Sequence, residues 1–250
     1  MIVGEKNIRL VLAYDGSRYF GWQRQMQDPT VQGTLEEAIQ RITGQRSPLI
    51  ASGRTDAGVH ALHQVCHFKT SSEIVPDALK KGLNALTPDD ILVKDVRYAP
   101  QDFHARYSAR SKTYEYRILN RPDPDVFVRA YAWHVPQDLD FKAMKACVDL
   151  LLGKHDFTSF RSAGSTNTNP AREMMRSDLF RTDEHHLRFV FEADGFLRHM
   201  VRNMVGTVIE VGQRRFSCEE FTEILRARDR RRAGTMAPPH GLYLTMVTYD

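Results

Sequence analysis

Residues 53–60 read Gly-Arg-Thr-Asp-Ala-Gly-Val-His, and this short polar stretch decides how the chain is interpreted. It places Asp56 between two glycines, beside Arg54 and soon after the apolar residues Leu49–Ala51. Glycines around a polar centre mark a backbone that turns sharply or lets a ligand approach closely. A single aspartate in such a loop is a candidate nucleophile, acid–base group or hydrogen-bond acceptor. Its commoner role is structural, in a tight turn where the side chain caps a helix or closes an Asx-turn.

The composition is that of a globular protein with a sizeable core. Of 250 residues, 42% are hydrophobic and 26% are charged. This length allows one large domain or two lobes of ordinary size. The formal net charge of +4 suits a negatively charged partner without requiring one.

Cysteine usage and the N-terminus predict a cytoplasmic protein. Cys66, Cys147 and Cys218 are far apart in the sequence, and no CxxC pair occurs. This pattern argues against a disulfide framework or a zinc ribbon and fits a reducing compartment. The first seven residues do not resemble a signal peptide, and no stretch approaches the roughly 20 apolar residues that a membrane span needs.

Hydrophobic periodicity and turn residues predict an α+β protein with two related halves, residues 1–105 and 106–250. In the first half we expect strands over 8–13, 65–69 and 91–98, and helices over 34–44 and 76–86. Together with the apolar stretch before Gly53 they give the ferredoxin-like order β-α-β-β-α-β. Thr34 and Glu37 predict a capping box for the first helix.

The second half repeats this theme loosely. We expect strands over 112–119, 174–181, 187–192 and 242–249, and helices over 139–152, 196–211 and 217–228. Ser217 and Glu220 predict a capping box for the last helix. Arg198 and Arg202 are four residues apart and are expected on one helix face.

Two aromatic and basic segments are candidates for RNA contact. The loop over 14–25 contains Arg18, Trp22 and Arg24, and the strip over 103–117 contains Arg106 and Arg110. Aromatic rings stack on bases, and arginine pairs with phosphate. For the loop, packing of its aromatic rings beneath a helix is an equally good alternative. A run of basic residues usually marks only the solvent-exposed face of a helix or strand.

Other features are better explained by structure than by chemistry. His60, His63, Cys66 and His67 invite a metal site, but strand alternation sends Cys66 and His67 to opposite faces. The basic run Arg226–Arg232 fits a helix C-terminus and could also guide an RNA backbone. Tyr114 lies on an otherwise apolar strand face, where a tyrosine is more often a core residue.

Five segments, taken in order, resemble the tRNA pseudouridine synthase A family: residues 14–25, 53–60, 103–117, 196–206 and 237–244. The resemblance runs through almost the whole chain; the loop-like stretch Ser162–Asn169 is an individual feature of this sequence. It implies that the two halves are ferredoxin-like, related by a pseudo-two-fold axis. They would share a central mixed sheet, with helices on one side and an active-site cleft between the halves.

The same resemblance implies roles for particular residues. Asp56 matches the catalytic residue, Arg202 matches the arginine that pairs with it, and Tyr114 matches the tyrosine over the target uracil. Leu244 matches the side chain at the floor of the base pocket, and Arg54 is our candidate to fill the space that a flipped base leaves or to hold the flipped phosphate. Arg18, Trp22, Arg24, Arg106, Arg110 and Arg198 are the candidate RNA contacts.

The implied reaction is conversion of uridine to pseudouridine at positions 38, 39 and 40 of the tRNA anticodon stem-loop. It needs neither a cofactor nor a metal, and the family works as a homodimer on tRNA. Two alternatives remain from the sequence. One is an RNA chaperone on the same scaffold, and the other is a pseudouridine synthase for another RNA or another tRNA position.

Overall fold

The computed structural model describes residues 4–164 and 169–250, which form two compact units. Unit 1 comprises Met1–Arg110 and Tyr243–Asp250, and unit 2 comprises Ser111–Leu242. Of the loop-like stretch Ser162–Asn169, residues 165–168 lie outside the described residues.

Unit 1 has the predicted order of elements in the first hundred residues. These are β1 (Lys6–Tyr14), α1 (Val31–Thr43), β2 (Ile50–Ala51), β3 (His60–Thr70), α2 (Pro76–Leu86) and β4 (Ile91–Ala99). β1 lies between β4 and β3 and is antiparallel to both, while the short β2 pairs with β3. One face of β1 is fully buried through Ile8, Leu10 and Leu12. Burial of each such side chain contributes about 1.5–3 kcal/mol.

The start of α1 differs from the prediction. Its N-cap is Thr30, whose hydroxyl accepts a hydrogen bond from the Gly33 amide at 3.2 Å. The predicted cap Thr34 lies inside the helix, where its hydroxyl donates to the Thr30 carbonyl at 3.1 Å. The helix begins earlier because Val31, one turn before Leu35, is also fully buried.

Unit 2 is built on β5 (Ser111–Leu119), which pairs with the two-residue β6 (Trp133–His134) and with β9 (His186–Ala193). β8 (Ala171–Arg181) follows β9 in the sheet, and β7 (Gly153–Asp156) follows β8. The helices are α3 (Phe141–Asp149), α4 (Met200–Gly212) and α5 (Cys218–Ala227). The capping box of Ser217 and Glu220 at α5 is confirmed.

The last strand, β10 (Leu242–Thr248), brings the chain end into unit 1. It runs parallel to β3, with Tyr243 beside His60 and Leu244 beside Ala61. The α+β class is confirmed; the pseudo-two-fold relation stays a prediction. None of the helices described in residues 4–164 and 169–250 has the length and apolarity to cross a membrane.

Candidate active site

The Asp56 loop, residues 52–59, connects β2 to β3 in unit 1. Four backbone hydrogen bonds fix its path, the first from the Ser52 amide to the Val65 carbonyl at 2.8 Å. The Trp22 amide donates to the Thr55 carbonyl at 3.0 Å, the Gly58 amide to the Tyr19 carbonyl at 3.2 Å, and the Val59 amide to the Asp56 carbonyl at 3.1 Å. Gly58 has φ +75°, a conformation that L side chains rarely adopt. The backbone on both sides of Asp56 is therefore held in place by residues of unit 1.

A buried polar network supports the same loop from beneath. The Tyr14 hydroxyl lies 2.8 Å from the Thr55 hydroxyl, and Gln64 Nε2 donates to the Gly53 carbonyl at 2.9 Å. Gln64 Oε1 in turn accepts from the Ser52 hydroxyl at 2.7 Å. Burial raises the pKa of Tyr14 from 10.0 to about 12, so this hydroxyl keeps its proton, and its capacity to donate, well into the alkaline range. Satisfied buried networks of this kind make the backbone they hold rigid.

Two glycines of the preceding loop allow the close contact with the Asp56 loop. A Cβ at Gly16 would lie 2.0 Å from the Val59 carbonyl oxygen, and a Cβ at Gly21 would lie 2.6 Å from the Thr55 carbonyl oxygen. Gly21 also has φ +87°. These positions explain why the loop over 14–25 is broken by glycines: its backbone packs directly on the Asp56 loop.

Asp56 itself is half-buried, while its neighbour Arg54 is exposed and Thr55 is buried. Neighbouring groups fix the backbone that carries this carboxylate. The carboxylate can therefore act as a nucleophile or as a general base without a further cost of ordering that backbone. Asp56, Asp15 and His60 each take part in further interactions within the protein.

His60 and Leu244 form the base of the loop where β3 begins. His60 is 2% exposed, its Nδ1 lies 3.1 Å from the Gly16 amide nitrogen, and its ring stacks on Tyr243 at 4.7 Å. Leu244 is fully buried one residue further along β10. The sequence indicated a structural role for His60, and its contacts agree with that role.

Tyr114 lies on β5 in unit 2, directly opposite Phe191 of β9. Its side chain is 8% exposed, and its ring meets Phe196 edge to face with a centroid distance of 5.0 Å. Edge-to-face pairs of this kind add about 0.5–1.5 kcal/mol and fix the ring plane.

Arg202 lies in the first turn of α4 in unit 2. Its Nε donates to the Ala237 carbonyl at 2.8 Å, and the Ala237 amide donates to the Arg202 carbonyl at 3.1 Å. The side chain is 7% exposed and makes further interactions. The segment that contains Ala237 therefore fixes the position of this guanidinium, and no pattern in the sequence predicts that contact.

The prediction that Arg198 and Arg202 lie on one helix face is wrong. α4 starts at Met200, and His199 before it has φ 61°, so Arg198 is not helical. A long-range contact turns it away: Arg198 donates to the Ala163 carbonyl at 2.9 Å, and its own carbonyl accepts from the Ser162 amide at 3.1 Å.

The other candidate RNA contacts differ in how accessible they are. Arg18 is 81% exposed and lies 3.5 Å from Asp90. Trp22 is 1% exposed, so its indole packs in the core and a base cannot stack on it in this structure. Arg24 is half-exposed and lies between two carboxylates, Glu36 at 3.0 Å and Glu37 at 3.5 Å.

Arg106 and Arg110 are both exposed, and Arg110 forms an ion pair with Asp250. Much of the basic run at the end of α5 is also paired within unit 2. Arg228 pairs with Asp156 at 3.1 Å, and Arg231 pairs with Asp229 at 2.7 Å. These contacts give the run a structural role in holding the residues after α5.

The histidines near β3 do not form a metal site. Cys66 pairs with Leu10 and His67 pairs with Arg9 across the β1–β3 ladder, so their side chains point to opposite faces. Within the part of the chain that the structure describes, no three His, Cys, Asp or Glu side chains converge as metal ligands would.

The sequence of this chain is similar to known proteins over almost its whole length. The profile of the tRNA pseudouridine synthase family matches residues 10–108 and 147–250, a span that includes Asp56 and Arg202. A tRNA pseudouridine synthase A from Geobacillus sp. is 46% identical over 246 residues, covering 98% of this chain and 99% of the relative. The corresponding proteins of Acetivibrio thermocellus and Methylobacterium radiotolerans are 43% and 42% identical. They cover 98% and 97% of this chain, and 100% and 97% of their own length. The chain belongs to the tRNA pseudouridine synthase family.

Proposed function

We propose that this chain converts uridine to pseudouridine at positions 38, 39 and 40 of the tRNA anticodon stem-loop, with Asp56 as its nucleophile. Family membership over nearly the full length supports the reaction. The observation that carries the assignment is the Asp56 loop, in which a half-buried carboxylate stands on a backbone fixed at Thr55, Asp56 and Gly58. Such fixed geometry is what a reaction between two positioned groups requires.

The proposed reaction breaks the bond between the uracil and its ribose, rotates the ring and forms a carbon–carbon bond at C5. The hydrogen on C5 then leaves as a proton, and N1, freed from the ribose, takes up a proton, so that the product is an isomer of the substrate. No electron and no group passes to a second molecule, so the stoichiometry requires no cofactor. The carboxylate of Asp56 acts at C6 of the base or at C1′ of the ribose, and in both cases it must reach the target uridine directly.

A stacked uridine must leave its stack before Asp56 can reach it, at a cost of a few kcal/mol. We assign Arg54 to the vacated space, because it is exposed and two residues from Asp56. We assign Tyr114 to stacking on the uracil, since base–aromatic contacts contribute about 1–3 kcal/mol. Its ring plane is held by Phe196, which limits the freedom lost on binding.

Arg202 and Leu244 complete the proposed set of residues. Arg202 is the proposed cationic partner of Asp56, because a guanidinium can orient a carboxylate through two parallel hydrogen bonds. Leu244 is the proposed apolar floor of the base pocket; it is buried beside Ala61, at the start of the strand that follows the Asp56 loop.

The proposed partners are tRNA and a second copy of the chain in the cytoplasm. A dimer carries twice the formal charge of +4, and this positive charge attracts a polyanion such as tRNA over a long range. The candidate RNA contacts Arg18, Arg24, Arg106, Arg110 and Arg198 are all exposed. We assign Arg18, Arg106 and Arg110 to phosphates, because Arg24 lies between two carboxylates and Arg198 is bonded to the Ala163 carbonyl. A mass measurement in solution tests the dimer against the chain mass of 28.7 kDa.

The direct test is release of tritium from tRNA that carries 5-tritiated uridine. We expect release with the wild type and none with Asp56→Asn, which keeps the shape of the side chain but removes its charge. Asp89→Asn, at an exposed position of the same unit, serves as the matched control and should release tritium at the wild-type rate.

The outcomes separate the alternatives. If wild type and Asp56→Asn both bind tRNA and neither releases tritium, the chain is an RNA chaperone or acts on another RNA. If Asp56→Asn releases tritium at the wild-type rate, Asp56 is not the nucleophile.

A further inference from the structure

A short turn of unit 1, residues 103–108, presents an exposed tyrosine near the end of β3 that lies away from His60. The turn packs beside His67, seven residues after His60 on β3, which at 3.3 Å per residue is roughly 23 Å along the strand. Tyr107 is 76% exposed, while Ala105 two residues before it is fully buried. We call residues 103–108 the Tyr107 turn.

Two imidazole nitrogens hold the backbone of the Tyr107 turn. Nδ1 of His67 accepts from the Ala105 amide at 3.1 Å, and Nδ1 of His104 accepts from the amides of Arg106 and Tyr107, both at 3.2 Å. The Tyr249 hydroxyl adds a bond to the Ala105 carbonyl at 2.7 Å. Three successive amides are therefore satisfied, and the turn is fixed before any ligand arrives.

The side chains of the turn form a stack of rings that ends in solvent. The rings of Tyr107 and His104 stack with centroids 4.3 Å apart and planes 26° apart, and His104 lies 5.0 Å from His67. The guanidinium of Arg106 lies 5.6 Å from the Tyr107 centroid. An exposed ring backed by another ring and flanked by a cation is the arrangement on which nucleobases stack, with the cation placed for a phosphate.

The stack has a rigid base within unit 1. Phe103 packs on Tyr249 at 5.2 Å, and the guanidinium of Arg9 lies 5.0 Å from the Tyr249 ring and 5.8 Å from the Phe103 ring. Cationic side chains thus adjoin the aromatic surface both at its base and at its exposed end. This charge favours an anionic partner over the apolar face of a protein.

We propose that the Tyr107 turn is a second RNA-binding site, in which an unstacked base of the tRNA stacks on Tyr107 and an adjoining phosphate pairs with Arg106. The inference rests on the proposed tRNA substrate and deepens it. A contact beside His67, away from the His60 end of β3, fixes the position of the tRNA without reading the target base. Such a contact contributes to binding and leaves the chemical step unchanged.

The test compares Tyr107→Ala and Tyr107→Phe with Tyr98→Ala as the control. Tyr98 is also an exposed tyrosine of unit 1 with a cation near its ring, Lys6 at 6.0 Å, but its place is on β4. The measurements are the Kd for tRNA at two salt concentrations, and kcat and KM from tritium release.

For Tyr107→Ala we expect the Kd and KM to rise at least about 5-fold, the lower end for loss of one base stack, with kcat unchanged. Tyr107→Phe, which keeps the ring, should stay within about 2-fold of the wild type, as should Tyr98→Ala. Arg106→Gln should weaken binding and reduce the salt slope by about one.

An unchanged Kd in Tyr107→Ala would overturn the inference while leaving the proposed reaction intact. A change of oligomeric state in Tyr107→Ala, with tRNA affinity per dimer retained, would also overturn it and identify this surface as a contact between copies of the chain. Absence of tritium release from the wild type would instead count against the proposed function.

Discussion

Replacement of Gly21 by alanine tests whether the loop before the Asp56 loop positions the carboxylate of Asp56, the proposed nucleophile. Gly21 has φ +87°, and an added Cβ would lie 2.6 Å from the Thr55 carbonyl oxygen and 3.0 Å from the Asp56 carbonyl carbon. Ordinary contact of a Cβ begins near 3.4 Å. The Asp56 loop must therefore retreat.

The expected loss has two parts. The left-handed backbone costs a non-glycine residue about 1–2 kcal/mol of stability. Relief of the contact moves the Asp56 loop by about 0.8 Å, and a misplacement of about 1 Å costs on the order of 100-fold in rate. We therefore expect Gly21→Ala to fold with reduced stability and to lose between 10-fold and 100-fold in kcat, as an order-of-magnitude estimate.

Gly44→Ala is the matched control. Gly44 ends α1 with φ +73°, and a Cβ there would meet nothing within 4 Å. It carries the same backbone cost without contact to the Asp56 loop, so its stability should fall and its kcat should stay near the wild type. Urea unfolding and tritium release measure the two effects. Equal kcat in the two folded variants would refute the argument that Gly21 positions Asp56.

Three further predictions concern stability. Burial, and after it the neighbouring His104, lowers the pKa of His67 from 6.5 to about 4. Below pH 6.5 the unfolded state therefore takes up a proton that the folded state takes up only near pH 4. The free energy of unfolding keeps its full value above pH 6.5 and falls by up to about 3 kcal/mol as the pH drops toward 4. His67→Asn keeps an acceptor near Nδ1 and should show a flatter curve of unfolding free energy against pH; equal slopes would contradict the assignment. Tyr14→Phe leaves the polar network beneath the Asp56 loop incomplete and should lower the free energy of unfolding by about 1–3 kcal/mol with a loss of kcat, whereas unchanged urea unfolding would rule out a supporting role. Ser217→Ala removes the capping box of α5 and should cost about 0.5–2 kcal/mol in urea unfolding with kcat retained; a loss of kcat would mean that α5 contributes to the reaction.

Elements whose signals are local were predicted well from the sequence. α2 has the predicted bounds, because Pro76 is pre-organised for the first turn of a helix and Pro88 follows soon after its end. The capping box at α5 is also confirmed, because the side chains of Ser217 and Glu220 each accept a hydrogen bond from the other residue's backbone amide. Both cases depend only on residues within a few positions of each other.

Features that depend on distant contacts could not be predicted. At α1, Thr30 and Thr34 are both capable caps, and the packing of Val31 and Leu35 decides between them. At α4, periodicity extended the helix back to Phe196, whereas contacts with residues 162 and 163 hold Arg198 outside it.

The candidate site shows the same division. The Asp56 loop was found from its own residues, but the groups that hold it come from other parts of unit 1. Tyr14 and Gln64 are 41 residues and 11 residues from the loop atoms they contact, and no periodic pattern connects them. Trp22 shows the converse. An aromatic residue in a basic loop fits RNA contact by composition, but Trp22 is only 1% exposed.

The most direct test of the account is to map pseudouridine in unmodified tRNA after a single-turnover reaction, with wild type and Asp56→Asn compared at equal tRNA occupancy. We predict new pseudouridine at positions 38 to 40 with the wild type and none with Asp56→Asn. Modification only elsewhere in the tRNA would contradict the proposed positions, and equal modification by both proteins would contradict the central role of Asp56.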